Sequence, residues 1–191
     1  MKNDKLDKFK LRAITLAEFQ SVKLPVQHCL LEHLFYKGSI GMLYGPRGSG
    51  KSLLAMVIGY AVTAEKAVRP WGKGQGGIVC YVDGEMRARG LRDRINQLDG
   101  FNTDEPSKAM VAANFYIVSR DFVGHPIGCI DTEEGQAAID KMLPTDVDLI
   151  ILDNLSAWTS TGGEDIRTWQ VVKSWLIGKR LQGVSVLLLH H

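Results

Sequence analysis

The chain has 191 residues, 45% hydrophobic and 23% charged, which suits one good-sized folded domain and excludes a wholly disordered, collagenous or coiled-coil chain. With 23 Lys and Arg against 21 Asp and Glu the formal net charge is +2, so bulk electrostatics demands neither nucleic acid nor an anionic membrane as partner. The cysteines Cys29, Cys80 and Cys129 are odd in number and widely spaced, with no histidine at zinc-ligand spacing, which predicts a reduced compartment and no structural metal.

In chain order, the opening MKNDKLDKFK mixes acids and bases without an apolar core, so it is not a signal peptide, and residues 1–20 are expected to form a tail. Pro25 separates it from Leu30, Leu31, Leu34 and Phe35, whose spacing predicts a short helix or loop packed on the core. A strand is predicted over Ile40–Tyr44, then a helix over Lys51–Ala64, a strand over Ile78–Val82 and a helix over Met86–Leu98. A strand over Phe115–Val118 follows, then a helix over Thr132–Leu143, opened by Asp131 and stopped by Pro144. The strand Leu149–Leu152, the helix Glu164–Gln182 and the strand Val184–Leu189 complete the series, with Gly183 as the left-handed stop of that helix. Short apolar strands alternating with helices predict an α/β three-layer sandwich with a mostly parallel sheet of at least five strands. The longest apolar run, Leu53 to Val62, is about half the roughly 20 residues a bilayer requires, so a soluble cytoplasmic protein without a membrane partner is expected.

The strongest motif is Gly45-Pro46-Arg47-Gly48-Ser49-Gly50-Lys51-Ser52, a complete phosphate loop (Walker A) between a strand and a helix. Its glycines let backbone N–H groups converge on phosphate oxygens at the positive end of the helix dipole. Lys51 is predicted to reach the β and γ phosphates and the Ser52 hydroxyl to ligate Mg2+. Asp153 ends the strand after Asp148 and is expected to hold Mg2+ as the Walker B acid, directly or through water; Asp148 is expected at a solvated edge. Glu85 follows Asp83-Gly84 at another strand end, where it serves either as general base for an attacking water or as a cap of the next helix. His190 and His191 end the last strand, where one of them would touch the γ-phosphate if that strand lies between the phosphate-loop and Asp153 strands. Arg87, Arg89, Arg92 and Arg94 are expected to be solvated helix charge, and Arg47 either leans on a phosphate or is exposed.

Together, GPRGSGKS, the strand running into VDGEM, DLIILDNLS, the GGED turn and LLLHH resemble the RecA-like P-loop ATPases of the AAA-domain group, specifically those related to plasmid RepA-type hexameric replicative helicases. The resemblance spans roughly residues 20–191 and implies that residues 21–191 are one ATPase core lacking its C-terminal strands. It implies the strand order phosphate loop, histidine strand, Asp153 strand, Glu85 strand, Phe115 strand, with the phosphate-loop strand at an exposed edge. It further implies ATP with Mg2+ as cofactor, ADP as product, a hexameric ring of identical subunits and single-stranded DNA in its channel. On that analogy Glu85 is the catalytic base, Asp153 the magnesium-side acid, His190 or His191 the sensor, and Asn154 a residue that helps position water. Trp158, Thr159, Ser160 and Thr161 then form a DNA-facing loop, although its stretch Ala157 to Gly163 carries no Lys or Arg. The function implied is a replicative helicase or single-stranded-DNA-dependent ATPase of a plasmid, phage or integrated element. The alternatives are an ATP-dependent assembly module without unwinding activity, and a small-molecule or nucleotide kinase.

Overall fold

A computed structural model describes residues 13–24, 26–102, 104–123, 127–162 and 165–191; Pro25, residues 1–12 of the expected tail, and Gly163 and Glu164 of the GGED turn lie outside the described residues. Short elements come first: the helix α1 (Leu16–Ser21), the ribbon β1 (Cys29–Leu31) with β2 (Phe35–Tyr36), and the strand β3 (Ile40–Tyr44). After α2 (Lys51–Ala64) comes a second ribbon, β4 (Ala67–Val68) with β5 (Gly72–Lys73), then β6 (Val79–Asp83), α3 (Ala88–Gly100) and α4 (Glu105–Asn114). The chain continues through β7 (Phe115–Ser119), α5 (Arg120–Val123), α6 (Glu133–Met142), β8 (Leu149–Asp153), a 3-10 turn (Leu155–Trp158), α7 (Ile166–Leu181) and β9 (Ser185–His190).

The main sheet is five-stranded and parallel, in the order β3-β9-β8-β6-β7, which is the order that the resemblance to RecA-like ATPases implied. Alternation along each strand divides the core in two. Cys80, Val82, Ile150, Leu152, Val186 and Leu188 face one apolar layer, which includes Ile139 of α6 and Val172 and Leu176 of α7. Val79, Tyr81, Leu149, Ile151, Leu187 and Leu189 face the other, under α2. Gly59 lets α2 sit close: a Cβ there would stand 2.8 Å from Ile151 and 2.9 Å from Phe115.

Parallel strands point the same way, so the carboxyl ends of β3, β6, β8 and β9 open on one rim, where open α/β sheets bind ligands. The register sets Tyr44 beside His190 and Asp83 beside Asp153. β3 is one of the two edge strands, β7 the other, and Ile40, Met42 and Tyr44 on one face of β3 are exposed.

The structure corrects several expectations. Leu30, Leu31 and Phe35 pack on the core as expected, but in a β ribbon rather than a short helix or loop, because β1 pairs with β2 and bridges to Gly74. The helix α1 begins inside the expected tail. Asp148 is mostly buried: its carboxylate pairs with Lys37 at 2.6 Å and accepts the Ile78 N–H at 2.8 Å. Among the described residues, no helix is long and apolar enough to cross a membrane.

Candidate functional site

The phosphate loop joins β3 to α2. Gly48 and Gly50 take φ values of 78° and 88°, a region that favours glycine, and nothing lies within 4 Å of a Cβ at either, so conformation rather than crowding demands glycine there. The Lys51 ammonium folds back over the loop and donates to the carbonyls of Gly45 at 2.7 Å and Pro46 at 2.9 Å. The Gly45 N–H donates to the His190 carbonyl at 3.3 Å, tying the loop to β9.

A cleft of about 490 Å3 opens on this loop. Arg47, Gly48, Gly50, Lys51 and Ser52 form one wall, and Glu85, Asp153 and His191 close on it from the ends of β6, β8 and β9. Gly45, Pro46 and Ser49 form the back of the loop, behind Lys51. A second groove, of about 480 Å3 beside β3, has Lys37 and Arg180 but no carboxylate, and lacks the mixture of cation, hydroxyl and carboxylate that phosphate chemistry needs.

Of the two histidines, His191 lines the cleft and His190 does not. The His190 ring lies 5.8 Å from that of Tyr44, with Nδ1 3.5 Å from the Ser156 hydroxyl. Asp153 is buried and its carboxylate accepts a hydrogen bond from the Tyr81 hydroxyl. Burial, reinforced by the neighbouring Asp153 and Glu85 carboxylates, pushes Asp83 up to about 6 even though it accepts the Met86 and Glu85 N–H groups. Asn154 donates its amide to Glu85, and the Asp153–Asn154 peptide is cis.

The expected DNA-facing loop needs correction at its first two residues. Trp158 has 0% exposure and Thr159 6%, because the turn folds the indole into the core with the Arg120 guanidinium 4.2 Å over its ring. Ser160 and Thr161 are exposed, with Ser160 bonded to Asp131 and Thr161 donating to Thr168 at 3.0 Å. Sequence reasoning missed Arg94 and Tyr81. Arg94 is exposed, as expected of helix charge, but it also lines the cleft, and Tyr81 donates its hydroxyl to Asp153 there. The available signals were a basic residue within three turns of Glu85 and a lone hydroxyl in an apolar strand.

Comparison with known proteins agrees with this geometry. The sequence matches the AAA domain family AAA_25 over residues 5–191. No curated protein matches it. Among solved structures it is similar to the KaiC-like protein PH0186 of the hyperthermophilic archaeon Pyrococcus horikoshii OT3, with TM-score 0.54 and 20% identity over 84% of this chain and 64% of that one. It is also similar to the flagellar accessory protein FlaH of Methanocaldococcus jannaschii, with TM-score 0.52 and 13% identity over 81% of this chain and 61% of that one. The chain thus spans less than two thirds of either protein, and at such identities the likeness concerns the fold. With the family match covering nearly every residue and the sheet order in place, the chain belongs to the AAA domain family and has a RecA-like P-loop fold.

Proposed function

We propose that the protein is a Mg2+-dependent ATP hydrolase whose subunits assemble in a ring and work on single-stranded DNA, as its motifs' resemblance to the RepA-type helicases implies. The observation that carries the hydrolase reading is the convergence of Lys51, Ser52, Asp153 and Glu85 in one cleft from three separate strand ends. The donor set suits a hard cation: Ser52 brings a hydroxyl and Asp153 a carboxylate, leaving room for the waters that Mg2+ retains. Bound there, Mg2+ supplies charge neutralisation on the phosphate oxygens.

In this reading Lys51 exchanges its two loop carbonyls for β and γ phosphate oxygens, and the loop N–H groups hold the rest of the chain of phosphates. Glu85 takes a proton from water as the water oxygen attacks the γ-phosphorus; the bond to the β–γ bridging oxygen breaks, releasing ADP and phosphate. Arg94 and Lys51 balance the charge on the transferred group, and His191 senses its presence from the lip of the cleft. ATP is the nucleotide rather than GTP, since the sequence has no N-K-x-D guanine-reading motif.

The test is Mg2+-dependent ATP turnover with and without single-stranded DNA. The native chain is expected to hydrolyse ATP and to be stimulated by DNA. Glu85→Gln should keep nucleotide affinity and lose roughly 100-fold in turnover. Normal turnover in Glu85→Gln would sink the assignment of the base, and phosphate transfer to an added nucleoside monophosphate would make the protein a kinase. A second reading, an ATP-binding assembly module without unwinding activity, is favoured by the burial of Trp158 and the absence of Lys or Arg from Thr159 to Gly162; turnover indifferent to DNA would select it.

A further inference from the structure

We infer that Asn154 is the positioning residue for Glu85, fixing the carboxylate over the phosphate loop through a side-chain amide whose orientation is itself locked. The inference rests on the reading of Glu85 as general base.

Asn154 is 4% exposed, and both ends of its amide are engaged. Its Oδ1 accepts the Ala157 N–H at 3.0 Å, capping the Leu155–Trp158 turn, and its Nδ2 donates to Oε2 of Glu85. Only one rotamer of the amide satisfies both partners. Flipping it would set an N–H against the Ala157 N–H and an oxygen against a carboxylate, two repulsive contacts in a buried place. The cap therefore dictates the donor that Glu85 meets.

Glu85 has little else to hold it. It is exposed, it follows a glycine, and among the described residues no ion pair reaches its carboxylate. The backbone before it is held from both ends of the same turn. The Gly84 N–H donates to the Asp153 carbonyl at 2.7 Å, and a Cβ on Gly84 would stand 2.7 Å from Trp158 Nε1 and 2.8 Å from the Ala157 methyl. One turn thus presses on Gly84 with its last residues and grips Glu85 with its first. With Oε2 occupied by the amide, Oε1 is left to accept the water proton.

Substitutions that keep the cap and remove the donor separate positioning from folding. Asp and Ser cap as well as Asn does, and neither can donate an amide hydrogen to Glu85. Asn154→Ser in the full chain is expected to melt within a few degrees of the native protein and to bind a fluorescent ATP analogue with unchanged affinity, whereas Asn154→Asp sets a carboxylate against Glu85 and is expected to melt lower while still folding. Turnover should fall at least ~10-fold, because loss of orientation acts on the reacting geometry rather than on binding. On a Glu85→Gln background either substitution should have no further effect. Native turnover in a folded Asn154→Asp or Asn154→Ser chain overturns the inference, as does an equal, independent loss on the Glu85→Gln background. The base assignment fails separately: if Glu85→Gln turns over normally, or the native chain binds ATP without hydrolysing it, Glu85 has no proton to take and the inference falls with it.

Discussion

Tyr81 puts a phenolic hydroxyl at the centre of an apolar strand, where it donates to the buried Asp153 carboxylate. Burial, and next the Asp153 charge, raise the phenol far above its ordinary range, so it stays a donor throughout the useful pH range. Tyr81→Phe keeps the ring and removes this donor from Asp153. The expected result is a loss of about 1–2 kcal/mol in urea unfolding, together with a higher Mg2+ requirement for nucleotide binding. Asp83 gives a pH signature of opposite sense to the usual acid. Its folded value of about 6 exceeds the ordinary 3.8, so the folded state holds the proton more tightly. That contribution is present at low pH and is lost as pH rises from about 4 to about 6. Asp83→Asn retains an acceptor for the Met86 N–H and is expected to raise the melting temperature at pH 7 and flatten its fall between those values, measured without Mg2+. An unchanged pH profile would assign the slope elsewhere.

Among the elements, α6 and α7 are fastened by one carboxylate. Asp140 pairs with the buried Lys179 at 2.8 Å and accepts the Trp175 indole N–H at 3.2 Å. Removing it strands an ammonium and an indole donor, so Asp140→Ala should cost about 2–4 kcal/mol in denaturant unfolding while leaving nucleotide affinity unchanged. The strands and helices of the main sheet were legible from sequence because each announces itself locally: a run such as Leu149-Ile150-Ile151-Leu152, or a cap and stop such as Asp165 and Gly183 around α7. The helix α4 was not, since its apolar residues Ala109, Met110, Val111, Ala112 and Ala113 are consecutive rather than periodic, and Pro106 in its first turn reads as a breaker. The site was legible wherever a strand end delivers a side chain, as with Glu85 and Asp153. It was not legible where distant pieces meet. Nothing near Trp158 in sequence signals that Arg120 and Gly84 close over it, and a small polar stretch after an aromatic reads as an exposed loop. Likewise, Asp148 has its cation at Lys37, over a hundred positions away.

For the molecule as a whole, the sheet is asymmetric. The strand carrying the phosphate loop lies at the edge, with its outward N–H and C=O groups unpaired in the main sheet and with Ile40, Met42 and Tyr44 exposed. Such edges invite association with another strand. Met42→Lys places a charge on that face without disturbing the core, and it is expected to lower concentration-dependent association in light scattering while sparing ATP binding; unaltered association would locate the contact elsewhere. The position of β9 between β3 and β8 also dictates the order of events during synthesis. β3 leaves the ribosome about 140 residues before the strand that is its sheet neighbour, and until then the phosphate loop has no backbone anchor on the His190 carbonyl. The nucleotide site is accordingly begun long before it can be completed, and the growing chain must be kept from pairing that waiting strand with the wrong partner.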